Sequence, residues 1–184
     1  MLNSVIWTGD RLFAGDNNGW LLSSFDGVDL KSVGFVPINI QSIAFTGRLL
    51  VVVRGGIQTP SDGKNWTSRK LNGEYLSRGP DHGVWTGSQL LAVGESGLII
   101  SSPDGVNWTE HKTGYTIDLN CVLWTGAEFV AVGDRGLILS SSNGDIWRVH
   151  NSGTESNLKS IVKADDRLFA VGDFGTIVAA DLEK

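Results

Sequence analysis

Cysteine is almost absent from this 184-residue chain, with Cys121 standing alone. One thiol cannot close an internal disulfide, and one Cys with three scattered His offers no zinc framework. Neither a covalent staple nor a metal is expected, and no cofactor motif is present. Positive charge is also scarce: 15 Lys and Arg face 20 Asp and Glu, for a formal net charge of −5. Such a chain has no general attraction for phosphate backbones, which sets nucleic acid aside as a partner. No segment approaches the roughly 18 apolar residues of a membrane helix, so membrane insertion is not expected. The opening Met1-Leu2-Asn3-Ser4-Val5-Ile6-Trp7 lacks a basic region followed by an apolar one, and no signal peptide is read there. A soluble, cytoplasmic protein is favoured on these grounds. Helical periodicity is missing too, since no stretch repeats apolar residues at three-and-four spacing for long enough to bury a stripe.

What is abundant is glycine, at 24, and tryptophan, at seven beside only two Tyr. Both recur at fixed spacing. Thr8-Gly9, Thr46-Gly47, Thr86-Gly87 and Thr125-Gly126 lie 38, 40 and 39 residues apart, and Ala164-Asp165 follows 39 further on. Trp7, Phe45, Trp85 and Trp124 stand immediately before the four pairs, with Lys163 in the fifth place. A second series is Gly15, Gly94, Gly133 and Gly172, with Arg54-Gly55-Gly56 in unit two. A third is Phe25-Asp26-Gly27, Ser61-Asp62-Gly63, Pro103-Asp104-Gly105 and Ser142-Asn143-Gly144. Three markers keeping one period define an internal repeat of about 39 residues.

Each unit divides into short β segments separated by turn residues. In unit four, 120–124, 128–132, 137–140 and 146–150 read as strands. Gly133-Asp134-Arg135-Gly136 between the middle two is predicted to be a type I turn closed by a left-handed glycine. One four-stranded sheet leaves two apolar faces in water, and radial stacking of similar sheets covers them. The expected fold is all-β: a five-bladed β-propeller forming one domain over 1–184, with blades near 2–34, 38–70, 76–111, 117–150 and 158–181. Unit five has three strands, so its blade is expected to lack the outermost one. That unfinished edge suggests a homo-oligomer or a larger assembly.

Ser102-Pro103-Asp104-Gly105-Val106-Asn107-Trp108 and Ser141-Ser142-Asn143-Gly144-Asp145-Ile146-Trp147 resemble the Asp-box, or BNR, motif. With Ala131-Val132-Gly133-Asp134-Arg135-Gly136-Leu137-Ile138, the whole unit is similar to the repeat of photosystem II stability/assembly-factor-like propellers. The resemblance covers nearly the whole chain, although those assembly factors are usually larger, seven-bladed rings. It implies a propeller fold and a structural role for the boxes, in which the Asp closes its own turn and the Trp packs over it. Asp26, Asp62, Asp104 and Asn143 are assigned to the turns on that basis, and Trp66, Trp108 and Trp147 to the joints between blades. Leu30 replaces the Trp in unit one.

Function is less legible, because such propellers include enzymes, assembly factors and binding modules. A sialidase needs clustered arginines, a Tyr–Glu pair and a separate acid, and the eight Arg do not fall at matching places. Tyr75 and Tyr115 have Glu74 and His111 near them in sequence only. Asp134 and Asp173 are a weak carboxylate pair for glycoside hydrolysis. No catalytic residue is assigned, and an enzyme is not expected. Loops on a rigid scaffold are the usual binding elements. The hairpins between second and third strands and the connections between units share one face, which carries Asp16, Arg54, Tyr75, Arg78, Glu95, Tyr115, Asp134, Asp173 and Phe174. A non-catalytic module presenting this face to a protein partner is the preferred reading. A carbohydrate-binding propeller is the alternative, with a glycan-active enzyme fragment behind it. The inequality of Arg54, Glu95 and Phe174 among the blades disfavours a symmetric lectin. Ser4, Ser42, His82, Cys121 and Ser160 share one place in the five first strands and are expected to ring a central channel.

Overall fold

Runs of β-branched and aromatic residues, cut at short intervals by Gly, Asp, Asn and Ser, fold each unit into a small antiparallel meander. The computed structural model describes residues 1–60, 65–71, 73–76 and 78–182. Blade 1 comprises β1 (Leu2–Trp7), β2 (Leu12–Asp16), β3 (Trp20–Ser24) and β4 (Lys31–Phe35). Blade 2 comprises β5 (Ser42–Phe45), β6 (Leu50–Val53), β7 (Ile57–Pro60) and β8 (Trp66–Ser68). Blade 3 has β9 (Pro80–Trp85), β10 (Leu90–Gly94), β11 (Leu98–Ser102) and β12 (Thr109–Glu110). Blade 4 has β13 (Leu119–Trp124), β14 (Phe129–Gly133), β15 (Ile138–Ser141) and β16 (Arg148–His150). Blade 5 has three strands, β17 (Leu158–Ala164), β18 (Arg167–Gly172) and β19 (Ile177–Asp181). Strands pair in chain order within every sheet. The fold is therefore an all-β, five-bladed propeller arrangement whose last blade lacks a fourth strand. No helix of the described residues is long and apolar enough to cross a membrane.

The apolar core lies between the blades. Consecutive inner strands pack on one another, β1 on β5, β5 on β9, β9 on β13 and β13 on β17. The joint between blades 3 and 4 buries Leu91, Val93 and Ile99 against Val122, Phe129 and Leu139. That between blades 4 and 5 buries Val130 and Val132 against Leu158, Ile161 and Ala170. At about 1.5–3 kcal/mol for each covered Val, Leu or Ile, these joints supply what no isolated sheet has.

Two local expectations are corrected. In blades 3, 4 and 5 the hairpin joining the second and third strands is a type I′ turn. Arg135 has φ +54° and Gly136 φ +68°, and the Leu137 N–H donates to the Asp134 carbonyl at 3.1 Å. Ser96 and Gly97, and Phe174 and Gly175, adopt the same pair of left-handed conformations. Two-residue connections between right-twisted strands require that geometry, and it costs Ser, Arg and Phe about 1 kcal/mol each. Gly15, grouped by sequence with Gly94, Gly133 and Gly172, sits one position earlier, opposite Ser4 within the sheet. It makes room for Ile40, whose Cγ2 would lie 2.2 Å from a Cβ there.

The polar row of the first strands links neighbouring blades. The Ser4 Oγ accepts from the Ile43 N–H at 3.0 Å, the Ser42 Oγ from the Gly83 N–H at 3.2 Å, and the His82 Nδ1 from the Val122 N–H at 3.4 Å. Cys121 hydrogen-bonds the backbone of Ile161. Each side chain thus meets the backbone one residue further along in the next blade's first strand. The row is a ladder joining blades, and a buried amide needing a partner is its physical cause.

The ladder and the core both stop at the outer faces of blades 1 and 5. Val5 is 63% exposed and Trp7 56%, while Val162 is 54% and Ile177 70% exposed. The two faces do not cover one another, so the five blades form an open arc. Trp7, unlike its counterpart Trp124, is exposed because no sheet lies against that side of blade 1.

Candidate functional site

The second-to-third-strand hairpins and the connections between units meet on one rim. The contact is close: a Cβ on Gly97 would lie 2.1 Å from the Tyr115 carbonyl oxygen, and one on Gly136 would lie 2.0 Å from that of Thr154. Hydrogen bonds tie the two sets of loops across the blade joints. The Ser96 N–H donates to Asp118 Oδ1 at 2.7 Å, and the Arg135 N–H to Asn157 Oδ1 at 3.0 Å.

Most acids on this rim are engaged in holding its loops. Asp16 Oδ1 accepts from the Asn18 and Trp20 amides at 2.9 and 2.8 Å. Glu95 Oε2 accepts from the Gly79 N–H at 3.1 Å. Asp134 accepts from Asn120 Nδ2 at 2.8 Å and Lys159 Nζ at 3.1 Å, and Asp173 from Asn157 Nδ2 at 3.0 Å. The Arg54 Nη1 donates to Gln41 Oε1 at 2.9 Å. Tyr115 is partly buried and packs against the core between blades 3 and 4. These residues are spread along the rim and do not converge.

Tyr75 and Arg78 do come together, at the junction of blades 2 and 3. A cleft of about 220 Å³ opens there between Leu71, Glu74, Tyr75, Leu76, Leu98 and the Arg78–Glu110 ion pair. The Arg78 Nη1 also donates to the Ser96 carbonyl at 3.0 Å, fixing the guanidinium against the hairpin of blade 3. Tyr75 is exposed, with the Lys70 ammonium 4.8 Å from its ring centre. Leu71 pairs with Glu74 in a local turn, which shapes the cleft wall. Sequence reading named Tyr75 and Arg78 but missed Glu110 and the leucines, which lie on a different strand and turn. Phe174, on the blade 5 hairpin, is 98% exposed despite its strained φ of +57°.

The turns before the fourth strands are closed by their own side chains. Asp104 Oδ1 accepts from the Val106 and Asn107 amides, both at 2.8 Å, while the Ser102 Oγ accepts from the Gly105 N–H at 2.8 Å. Asp26 does the same with Val28 and Asp29, and Asn143 with Asp145 and Ile146. Hydrogen bonds to the ionised form hold the Asp26 and Asp104 carboxyls at about 2. Asp62 lies outside the described residues. The Trp108 and Trp147 indoles donate to the carbonyls of Gly105 and Gly144. Trp108 is buried in the cluster that holds Val51 and Val53 of blade 2, Trp147 packs against the cluster between blades 3 and 4, and Trp66 against the one between blades 1 and 2.

One constellation unforeseen in the sequence has the outline of a nucleophile triad. Ser101 Oγ lies 2.7 Å from His111 Nε2, and His111 Nδ1 is paired with Asp145. Ser101 is only 7% exposed, and Ser140 repeats the contact with His150 Nε2 at 2.8 Å on the next blade. Ser68 with Gln58 and Arg69 with Thr59 bridge the same strands of blade 2. The group is one of a series of polar braces between third and fourth strands, and Asp145 extends it to the neighbouring blade. His82 and Cys121 show no catalytic activation either. Burial depresses His82 to about 4 and pushes the Cys121 thiol up, leaving both neutral. Among the described residues no group of three or more His, Cys, Asp or Glu is placed to hold a metal ion.

No protein-family model and no curated protein matches the chain. Solved structures do. YCF48 bound to a D1 peptide is similar with a TM-score of 0.75 at 19% identity, over 98% of this chain and 63% of that one. The WD40 β-propeller domain of Doa1 gives 0.75 at 10% identity, over 98% and 64%. A nidogen/laminin complex gives 0.73 at 13%, over 98% and 76%. The chain therefore spans less than two thirds of the YCF48 and Doa1 chains. Fold and likeness together define a β-propeller built from repeats.

Proposed function

We propose that this propeller is a binding module whose rim takes an extended segment of a protein partner. On this reading the segment seats in the cleft at the junction of blades 2 and 3, and the turns at Asp26, Asp104 and Asn143 are Asp-boxes of purely structural use. The observation that carries it is the cleft itself. Leu71, Leu76 and Leu98 form an apolar floor, Tyr75 stands exposed at its edge, and the Arg78–Glu110 pair supplies fixed polar groups. A concave, mostly preformed site with a few placed polar groups is what peptide side chains require. Support also comes from the D1 peptide named with the structurally similar YCF48. Phe174 adds a second anchor, because a bulky aromatic kept in a strained, exposed turn points to selection for contact.

Peptide-display selection against the immobilised chain, run beside a glycan array, tests the reading. Selected peptides are expected to lose at least about tenfold in affinity on Tyr75→Ala or Arg78→Ala, the range of an interface anchor, and the array is expected to stay blank. Peptides that bind equally well to both variants would remove the cleft from the proposal. Binding to the array would replace the protein partner with a carbohydrate.

A further inference from the structure

On the side of blade 1 that packs on blade 2, one polar brace is missing. In blades 2, 3 and 4 a buried hydroxyl of the third strand bonds the side chain ten residues on, at the fourth strand. Arg69 Nε donates to Thr59 Oγ1 at 2.6 Å, Ser101 Oγ lies 2.7 Å from His111 Nε2, and Ser140 Oγ lies 2.8 Å from His150 Nε2. In blade 1 the hydroxyl belongs to Ser23, only 8% exposed, and the residue ten on is Val33, which has no polar group to offer. Among the described residues the Ser23 hydroxyl has no hydrogen-bond partner. Ser23 pairs with Phe13, and both lie on the sheet face that meets blade 2. A cavity of about 360 Å³ opens at this place, lined by Ser23, Val33, Arg11, Lys31, Asp26 and Asp29.

The adjoining turn leaves a second demand unmet. In blade 3, Asn107 Nδ2 donates to Asp104 Oδ2 at 2.7 Å. Blade 1 has Asp29 in place of that Asn, and a carboxylate cannot donate. Asp26 Oδ1 is taken up by the Ser24 hydroxyl and the Val28 and Asp29 amides, and the charges of Asp26 and Asp29 face the same cavity. Arg11 is engaged elsewhere, by Asp10 at 3.5 Å and by the Phe25 ring, whose centre lies 4.3 Å from its guanidinium carbon. Lys31 makes no ion pair with either acid among the described residues. A buried hydroxyl lacking a donor and two carboxylates lacking a cation are the complement of a guanidinium, whose planar fork carries five N–H groups.

We propose that this cavity binds an arginine side chain of a protein partner, with Ser23 accepting one N–H and Asp26 and Asp29 taking the charge. The partner completes from outside the brace that Arg69 completes within blade 2. The cavity lies at the end of blade 1 opposite the rim, because the hairpin and the Asp26 turn close opposite ends of β3. This goes beyond the rim reading and does not depend on it, since the two sites share no residue.

Titration of the full chain with N-acetyl-arginine amide at constant ionic strength, followed by backbone amide NMR shifts, tests the proposal. N-acetyl-lysine amide and N-acetyl-glutamate amide are run in parallel. Saturable shifts at Ser23, Lys31 and Val33 are expected with the arginine probe. It should bind at least about fivefold tighter than the lysine probe, because only a planar fork reaches the hydroxyl and the carboxylates together. Asp29→Asn, which copies blade 3, is expected to weaken binding by at least about fivefold through the lost charge-assisted bond. Val33→Arg should abolish it by filling the cavity from within, as Arg69 does in blade 2, with a melting temperature no lower than that of the native chain. Tyr75→Ala, in the rim cleft, should leave it unchanged. Absence of saturation, equal affinity for the lysine probe, or binding that survives either Asp29→Asn or Val33→Arg overturns the proposal. Saturation by the glutamate probe overturns it too, and would assign the cavity to an anion held by Arg11 and Lys31.

Discussion

At the scale of the residue, the turns show why side-chain chemistry and not charge is retained. Asn143 performs in blade 4 what Asp104 performs in blade 3, because an amide oxygen accepts the same two backbone N–H groups. Asp104→Asn should therefore leave stability at neutral pH nearly unchanged, and Asp104→Ala should cost about 1 kcal/mol in denaturant melts. Acid separates them further. The Asp104 carboxyl sits at about 2 when folded and at 3.8 by default, so its contribution is present above 3.8 and is lost as pH falls towards 2. The Asn variant has no such loss. Equal melts for the Ala and Asn variants would show that the side-chain oxygen is dispensable.

At the scale of the element, the inner strands are joined through side chains that must stay neutral or uncharged acceptors. His82 is the ladder acceptor that gains a proton in acid, and protonation would turn its Nδ1 into a second donor facing the Val122 N–H. Its folded value of about 4 lies below the ordinary 6.5, so the unfolded chain takes up the proton first. Stability therefore falls as pH drops from 6.5 to 4, by up to about 2 kcal/mol with allowance for the ring's partial exposure. His82→Ser, which copies the acceptor of blades 1, 2 and 5, should abolish that slope. Comparing the two proteins across this range isolates the imidazole from the carboxylates, and parallel pH profiles would reject the assignment. The hairpins teach a related lesson. The short Gly-containing connections were readable, but their left-handed pair of residues was not, because Ser, Arg and Phe give no propensity signal for it.

At the scale of the whole molecule, stability is a sum over blades and the joints between them. Blades 2, 3 and 4 have a neighbour on both sides, while blades 1 and 5 each have one. Hydrogen exchange on the native chain should protect β10, β11 and β14 most. The amides of β1 and β19 should open at lower free energy than global unfolding. Uniform protection across all blades would mean that the arc unfolds as one unit.

The repeat period, the blade number, the missing strand of blade 5 and the turn positions were all legible in the linear sequence. They depend on local chemistry recurring every 39 residues or so, as Thr-Gly, Asp-Gly and the strand-ending aromatics do. The association of Glu110 and Leu98 with Tyr75 and Arg78 was decided only in three dimensions, as was the brace linking Ser101, His111 and Asp145. So were the ladder of hydrogen bonds that joins the first strands and the exposure of Trp7 and Val162 on opposite ends of an open arc. Each of these depends on which blade face meets which neighbour. That is settled by packing between residues far apart in the chain, and a repeating sequence writes the same instructions for a covered face and for an uncovered one.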